Sequence, residues 1–324
     1  MFALTKGSDR YETVMGSDLR ILSLVTNDHA GFFRQQVSGL RERGHTVDVL
    51  AVPGYSKDVE RSVVTYVRYY LRSVASSVRG YDLVHANYGL TAPPAVLQMT
   101  SPTVLTLWGS DLMGEYGWVS RLCARFVDEV VVMSEQMAEQ CGRECHVIPH
   151  GIDLNLFRPL PRAFARAEIG WRQSARHVLF PYGTDREVKD FPRAKRIVDR
   201  VQSRTDRSVE LHTVSGVPHS RMPLYMNAAD ALVLTSKREG MPNSIKEALA
   251  CDLPVIATAV SDLPTVLTDV SNSVASDDDA ILVETLSSVL RSGERSDGRA
   301  VVESLGKETQ LDKLEAVYHS ACSP

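Results

Sequence analysis

The sequence has 324 residues, of which 44% are hydrophobic and 23% are charged, and this is the composition of an ordinary folded protein. It excludes a collagen-like, low-complexity or disordered chain. Thirty-six Lys and Arg residues stand against forty Asp and Glu residues, so the formal charge of -4 provides no general positive field for nucleic acid. At roughly 100–200 residues per domain, the length predicts two domains.

Five cysteines are scattered through the chain, and an odd number of them favours reduced thiols over a disulfide framework. The N-terminal stretch 1–18 is polar and charged, without the apolar core of a signal peptide. Nowhere do about eighteen consecutive apolar residues occur, as a membrane-spanning helix requires. We therefore expect a cytoplasmic protein that does not span a membrane.

Short apolar runs rich in Val, Ile and Leu alternate with segments of helical periodicity, which is typical of βαβ units and a parallel sheet. In the first half, the predicted strands are 20–26, 46–51, 82–85, 103–107, 129–133 and 145–148. The first predicted helix is 32–43, which Gly44 ends. This series predicts one doubly wound lobe over 1–155.

Prolines interrupt the pattern between 149 and 170, and we expect a linker there because proline breaks helices and central strands. The strands predicted after it are 177–181, 209–213, 231–235 and 254–257, and the helices between them are 190–204, 221–228 and 243–250. These predict a second lobe over 156–304, and we expect the last helical segment, 305–324, to return to the first lobe. The fold class is therefore α/β, with two facing Rossmann-like domains and a ligand cleft between them, since ligands bind beyond the carboxyl ends of parallel strands.

The most informative segment is 236–250, SKREGMPNSIKEALA, which runs from a strand end into a helix. Gly240 permits a close backbone approach, and Pro242 suits a first helical turn because its missing N–H would be unpaired there anyway. The free amides of that turn favour a phosphate group at the positive end of the helix dipole. The expected donor-binding residues of this segment are Gly240, Met241, Pro242, Asn243, Ser244 and Glu247.

Two carboxylates, Glu239 and Glu247, flank this phosphate seat in a Glu-x7-Glu spacing. A carboxylate beside a phosphate is repulsive unless it accepts hydrogen bonds from hydroxyl groups. We therefore interpret the two residues as holding the diols of a nucleotide sugar. A capped helix with a solvated Glu247 would show the same spacing.

The string REGMPNSIKEALACDLPVIAT at 238–258 resembles the C-terminal signature of retaining glycosyltransferases of family four. Segments 147–159 (VIPHGIDLNLFRP), 227–236 (NAADALVLTS) and 31–53 are similar to other motifs of that family, and 82–97 and 102–112 resemble members acting in surface-polysaccharide assembly. The resemblance implies the GT-B fold and transfer of a hexose from a nucleoside diphosphate sugar, with UDP-sugars favoured and no metal ion or other cofactor at the catalytic step.

In the family, the glutamate corresponding to Glu239 contacts the sugar and the reaction centre, and the one corresponding to Glu247 contacts the ribose hydroxyls. The family also supplies an arginine and a lysine to the phosphates from the loop after the first C-terminal strand. Here that loop, PYGTDREVKDF, carries Arg186 and Lys189, and we expect both at the diphosphate because each forms charge-assisted bonds to phosphate. In the commoner family pattern, the arginine stands at the position of Thr184. A charged loop that is merely solvated is the alternative to phosphate binding by Arg186 and Lys189.

Further contacts are expected from glycines and from strand ends. Gly183 lies in the loop that carries Lys189, and Gly31 lies where the family brings backbone amides to the donor phosphate. Trp108 stands where many members have a sugar-binding histidine, and tryptophan can stack on a sugar or donate its indole N–H. Asp111 is an expected sugar or acceptor contact, with capping of its own helix as the alternative. His85 is an expected acceptor contact, with a structural role as the alternative.

The expected partners are a nucleotide sugar and a glycan or lipid-linked acceptor. Four arginines, at 61, 68, 72 and 79, would align within about 20° on an ideal helix. This basic stripe could rest on the anionic inner face of the cytoplasmic membrane, although a solvated helix face explains it too. Two other functions remain open: a nucleotide-sugar epimerase of the same fold, and a catalytically degenerate protein that only binds nucleotide sugars.

Overall fold

The computed structural model describes residues 18–54, 61–239 and 242–323. They form two compact units: the residues up to Pro149 together with those from Glu308 onward make unit 1, and His150–Lys307 make unit 2. The sequence placed the two boundaries at 155 and 304. The returning C-terminal segment therefore belongs to unit 1, as an integral part of that unit rather than a separate body.

Each unit is built on a parallel sheet. The strands in chain order are β1 (Arg20–Val25), β2 (Thr46–Ala51), β3 (Leu83–Ala86), β4 (Thr103–Thr106), β5 (Glu129–Val132), β6 (His146–Val147), β7 (Arg176–Phe180), β8 (Val209–Thr213), β9 (Ala231–Leu234), β10 (Val255–Ala257) and β11 (Val274–Ala275). The order across the first sheet is β2-β1-β3-β4-β5-β6, and across the second it is β11-β10-β9-β7-β8. Both are the doubly wound sheets that the alternating pattern predicted, which confirms an α/β fold with two Rossmann-like domains.

Helices cover these sheets. They are α1 (Gly31–Glu42), α2 (Val63–Ser77), α3 (Ala92–Leu97), α4 (Ser110–Met113), α5 (Gly117–Ala124), α6 (Glu135–Cys141), α7 (Arg162–Ile169), α8 (Phe191–Gln202), α9 (Met222–Ala228), α10 (Asn243–Ala250), α11 (Leu263–Leu267), α12 (Asp279–Ser292), α13 (Gly298–Val302) and α14 (Lys307–Cys322). Within the described ranges, no helix combines the length and the apolar character needed to cross a membrane.

The core of unit 1 includes the final helix. Leu311, Leu314 and Val317 of α14 are buried in the same apolar cluster as Leu83 and Leu105 of the sheet. Burying side chains of this size stabilises the fold by roughly 1.5–3 kcal/mol each. Chain segments that are far apart in sequence are therefore held in one unit by a continuous core.

The predicted linker contains a helix that the sequence missed. Pro149, Pro159 and Pro161 led us to expect no regular structure between 149 and 170, yet α7 begins directly after Pro161. Proline is well tolerated at the start of a helix, since the first N–H groups have no partner within the helix. Here Pro161 marks where the helix begins and does not interrupt it.

Candidate functional site

The candidate site of unit 2 lies where β7 and β9 end. The loop after β7 and the loop after β9 are joined by backbone bonding, because Lys237 N–H donates to the Val188 carbonyl over 2.9 Å. The hydroxyl of Thr235 also donates to the carbonyls of Lys189 (3.1 Å) and Asp190 (2.8 Å). These bonds hold the two loops that carry the predicted catalytic residues side by side.

Lys189 and Glu239 meet in an ion pair. The ammonium of Lys189 donates to Oε1 of Glu239, and both side chains are largely buried. The same ammonium lies 3.9 Å from the centroid of the Tyr182 ring, and the guanidinium carbon of Arg186 lies 5.3 Å from it. An aromatic face attracts cations at such distances. The structure therefore places Lys189 and Arg186 at the Tyr182 ring and pairs Glu239 with Lys189.

The start of α10 completes this group. Pro242 precedes the helix in an extended conformation and offers no capping side chain, no side-chain cap of the helix start is found among the described residues, and its first turn contains no acidic residue. The Ser244 hydroxyl lies 2.8 Å from the Tyr182 hydroxyl, which ties this turn to the loop after β7. The uncapped amides at Asn243 and Ser244 and the helix dipole make an anion favourable at this end. Gly240 and Met241 lie outside the described residues.

Glu247, further along α10, is mostly buried and pairs with a histidine that the sequence did not indicate. Nε2 of His219 lies 2.8 Å from Oε1 of Glu247. The hydrogen bond to Glu247 raises the pKa of His219 above its ordinary value, because it stabilises the protonated ring. The His219 ring also packs against Phe157, with centroids 5.1 Å apart. The solvated Glu247 that the sequence left open is therefore excluded.

Lys246, the neighbour of Glu247, is fully buried, and its ammonium donates to the carbonyl of His150. Burial lowers the pKa of Lys246 to about 7, since the charged form loses its hydration. The same cause lowers the pKa of His150 to about 3. Lys246 thus fastens α10 to the first residues of unit 2.

The two predicted glycines differ in their surroundings. A Cβ at Gly183 would lie 2.5 Å from a carboxylate oxygen of Asp185, which only a shift of that side chain could relieve. Gly31 is exposed at the first position of α1, and no heavy atom would come within 4 Å of its Cβ. Among the described residues, space is therefore open beside Gly31, whereas a side chain at Gly183 would require Asp185 to move.

His85 is not placed to contact a sugar acceptor. It is 1% exposed, its Nδ1 lies 2.7 Å from the Tyr318 hydroxyl, and its Nε2 lies 2.7 Å from the Thr106 hydroxyl. Burial lowers the pKa of this imidazole to about 3. Since both nitrogens are occupied and the ring is almost wholly buried, the expected contact with the sugar acceptor is wrong, and His85 joins β3 to α14 and β4.

Asp111 is likewise structural. It is buried, its Oδ1 accepts from the backbone N–H groups of Trp108 and Gly109 at 2.9 Å, and its Oδ2 accepts from that of Gly89 at 3.1 Å. Burial outweighs these bonds and raises its pKa to about 6. The expected sugar contact is therefore wrong, because both oxygens already shape the loop after β4.

Trp108 is partly buried, and its indole N–H donates to the Asn87 carbonyl over 3.0 Å. Its ring packs on Phe32 with centroids 4.3 Å apart. The N–H that the sequence offered to a sugar is thus used within unit 1, while stacking of the ring on a ligand stays a prediction.

Helix α2 exposes an apolar face beside two arginines. The exposed apolar residues are Val63, Val64, Val67, Leu71 and, just beyond the helix end, Val78. Arg68 and Arg72 are exposed on the same helix. Two of the four arginines in the predicted stripe do not lie on the helix, so that prediction is wrong for them. Arg61 precedes the helix and donates to the carbonyls of Thr26 and Val52, and Arg79 follows the helix.

Sequence reasoning missed three residues of the site: Tyr182, His219 and Lys246. Tyr182 follows β7 directly, and an aromatic residue beside two cationic residues in one loop was a usable signal. The other two have no local signal, because His219 meets Glu247 across 28 positions and Lys246 meets His150 across 96.

Two family models match the chain. The model described as Glycosyltransferase Family 4 matches residues 32–156, and the model described as Glycosyl transferases group 1 matches residues 177–292. The first range lies mostly in unit 1 and the second entirely in unit 2. Both units are therefore accounted for by glycosyltransferase models.

Two curated relatives are similar to the chain. A putative teichuronic acid biosynthesis glycosyltransferase, TuaC, of Bacillus subtilis is 28% identical over an alignment of 209 positions that covers 55% of this chain and 53% of the relative. D-inositol 3-phosphate glycosyltransferase 1 of Catenulispora acidiphila is 27% identical over 305 residues, covering 74% of this chain and 72% of the relative. The match thus spans about half the length of the first relative.

Solved structures share the fold. A sucrose-phosphate synthase of Thermosynechococcus elongatus has a TM-score of 0.70 and 20% identity, covering 93% of this chain and 98% of that one. HepE of Anabaena in complex with UDP and glucose has a TM-score of 0.67 and 16% identity, covering 93% of this chain and 100% of that one. At these identities the likeness concerns the fold alone.

Proposed function

The chain belongs to the glycosyltransferases of the GT-B fold, and from this we propose that it transfers a hexose from a nucleoside diphosphate sugar to an acceptor hydroxyl, with retention of the anomeric configuration. The observation that carries the proposal is the Lys189–Glu239 ion pair beside the uncapped start of α10. A cation and a helix start together suit a diphosphate, and a carboxylate next to them suits the hydroxyls of its sugar.

In the proposed reaction, the bond between the anomeric carbon and the diphosphate oxygen breaks while the acceptor oxygen bonds to the same face of that carbon. The acceptor proton passes to the departing phosphate oxygen, so the enzyme needs no nucleophile of its own. Lys189 and Arg186 stabilise the negative charge that develops on the diphosphate, together with the α10 amides. Fixed groups that are directed at developing charge are the largest contribution in many enzymes.

The role of Glu239 follows from its ion pair. Lys189 has three N–H donors, so it can keep its bond to Glu239 while it binds a phosphate oxygen. The ammonium would then orient the carboxylate toward the sugar. With these cations and the helix dipole in place, the proposed mechanism uses no metal ion at the catalytic step.

Glu247 is the proposed ribose contact. Its carboxylate is fixed by His219 at 2.8 Å and lies one turn into the helix whose start would bind the diphosphate. A buried carboxylate that is held by one partner costs little further ordering when it accepts hydrogen bonds from a diol. The HepE structure contains UDP and glucose, which supports a UDP-sugar as the donor here.

The acceptor we propose is a growing surface polysaccharide or a lipid-linked saccharide. The similarity to TuaC, whose name assigns it to teichuronic acid biosynthesis, supports this class. The exposed valines and Leu71 of α2, flanked by Arg68 and Arg72, support contact with an anionic membrane at its cytoplasmic face. Such a helix can lie in the lipid headgroup region, with its apolar residues inserted and its arginines near phosphates.

The test is to incubate the pure protein with UDP-, GDP- and ADP-sugars, and to follow both thermal unfolding and nucleotide release. Ligands that bind only the native state raise the unfolding temperature by mass action. We expect a nucleoside diphosphate to stabilise the protein and a matching sugar nucleotide to be turned over slowly, with faster release when the acceptor is added. Binding without turnover would instead support the degenerate binding protein, and an epimerised sugar would support the epimerase.

A further inference from the structure

Three potential metal ligands meet on one face of the second sheet, away from the proposed donor site. His177 lies on β7, and Glu210 and His212 lie on the neighbouring edge strand β8. Glu210 and His212 are two residues apart on a strand, so both side chains point to the same face. Register pairs His177 with Glu210 directly, which brings the third ligand to that face.

The distances among the three ligand atoms fit a single ion. Nδ1 of His177 is 2.8 Å from Nε2 of His212 and 3.6 Å from Oε2 of Glu210, and Nε2 of His212 is 3.5 Å from the same oxygen. In a tetrahedral zinc site with bonds of roughly 2.0–2.1 Å, ligand atoms lie roughly 3.3 Å apart. We propose that His177, Glu210 and His212 bind a divalent transition metal ion, with zinc as the best match, in a site outside the donor-binding loops.

The groups around this trio of residues, His177, Glu210 and His212, support metal binding. Nε2 of His177 donates to the carbonyl of Arg172 over 2.7 Å, which leaves the lone pair on Nδ1, the atom that faces the other two ligands. A bond from the outer ring nitrogen to a backbone carbonyl is the usual way in which proteins orient a metal-binding histidine. Arg172 also binds Oε1 of Glu210, so Oε2 remains for the ion.

Trp171 covers both imidazoles. Its ring is stacked 3.7 Å from that of His212 and 4.9 Å from that of His177. The indole shields the ligand rings, while His212 and Glu210 keep about a fifth to a quarter of their side chains exposed, which gives an ion a path to the trio.

The ion would join the edge strand β8 to β7. With three protein ligands, one coordination position remains for water. Because His177 is near the amino end of β7, whereas the candidate donor site follows its carboxyl end, we expect the metal to stabilise unit 2 without contacting the sugar nucleotide.

The test uses full-length protein without a histidine tag, treated with EDTA and then titrated with Zn²⁺ against a chromogenic chelator. We expect one zinc ion per chain, a rise in unfolding temperature with Zn²⁺, and a visible tetrahedral absorption spectrum with Co²⁺. In His212→Gln and Glu210→Gln, binding should weaken at least about tenfold and the zinc-dependent rise in temperature should disappear.

The matched control is His146→Gln. His146 also lies on an edge strand and pairs with a carboxylate, 2.8 Å from Glu129, but among the described residues it belongs to no group of three potential metal ligands. This variant should bind zinc as the wild type does. Unchanged binding in His212→Gln, or absence of binding in the wild type, would overturn the proposal. Should the variants fail to fold, anomalous diffraction from a zinc-soaked wild-type crystal decides: a peak among the three ligand atoms supports the site, and a peak elsewhere refutes it.

Discussion

Lys189 and Glu239, which are 50 positions apart in the chain, form a largely buried ion pair against the face of Tyr182. Removing one partner of a buried pair leaves the other charge uncompensated, which is more costly than the net contribution of the pair. The two residues should therefore be coupled in both stability and ligand binding. They connect the loop after β7 to the loop after β9.

Replacing Lys189 with Met should lower turnover of the sugar nucleotide at least about 100-fold, because it removes the charge that we propose stabilises the departing diphosphate. The measurement is nucleotide release at saturating donor. The control is Lys195→Met, which removes an exposed lysine of α8 that pairs with Asp199. Equal rates in both variants would remove Lys189 from the proposed site.

Replacing Glu247 with Ala should weaken nucleoside diphosphate binding about 10–100-fold, since a charge-assisted hydrogen bond contributes roughly 1.5–3 kcal/mol. The measurement is the rise in unfolding temperature at a fixed nucleotide concentration, which should be smaller in Glu247→Ala than in the wild type. Glu284→Ala is the control, because Glu284 is exposed and pairs with Arg204 at 3.5 Å. An undiminished shift in Glu247→Ala would contradict the ribose contact.

His85 should make the fold sensitive to acid. Its pKa is about 3 in the folded protein and about 6.5 when the ring is solvated, so between these values the unfolded chain binds a proton that the folded one does not. Its contribution to stability is present above pH 6.5 and is lost as the pH falls toward 3, by up to about 1.4 kcal/mol per pH unit.

The measurement for His85 is the free energy of unfolding between pH 7 and pH 4. His85→Gln keeps a donor and an acceptor but cannot titrate, so its stability should fall less steeply than that of the wild type. His29→Gln, which changes an exposed histidine, should follow the wild type. Parallel curves for His85→Gln and the wild type would show that burial does not keep His85 neutral.

The exposed face of α2 should bind anionic vesicles. Leu71→Glu places a negative charge at the centre of this apolar face and should reduce co-sedimentation with phosphatidylglycerol vesicles several-fold, since it removes buried apolar area and adds repulsion. Met99→Glu is the control, because Met99 is 96% exposed but lies outside α2. If both variants bind as the wild type does, α2 is not the membrane contact.

Much of the architecture was predictable because it depends on local patterns. The helix predicted at 243–250 is α10, and the strands predicted at 46–51 and 209–213 are β2 and β8 with the same bounds. β11 was missed, since two residues carry too little periodicity for a prediction. The predicted roles of His85 and Asp111 failed for another reason: a polar residue at a strand end has the same local sequence whether it faces a ligand or the core.

By itself, the sequence determined the alternation of strands and helices, the Glu-x7-Glu segment and the cationic loop, because hydrophobic periodicity and turn chemistry act over a few neighbouring residues. Only the tertiary structure decided that Lys189 meets Glu239, that Tyr318 closes off His85 from 233 positions away, and that His177 joins Glu210 and His212. Such contacts depend on strand order and core packing, which bring distant residues within hydrogen-bonding distance without leaving a local pattern.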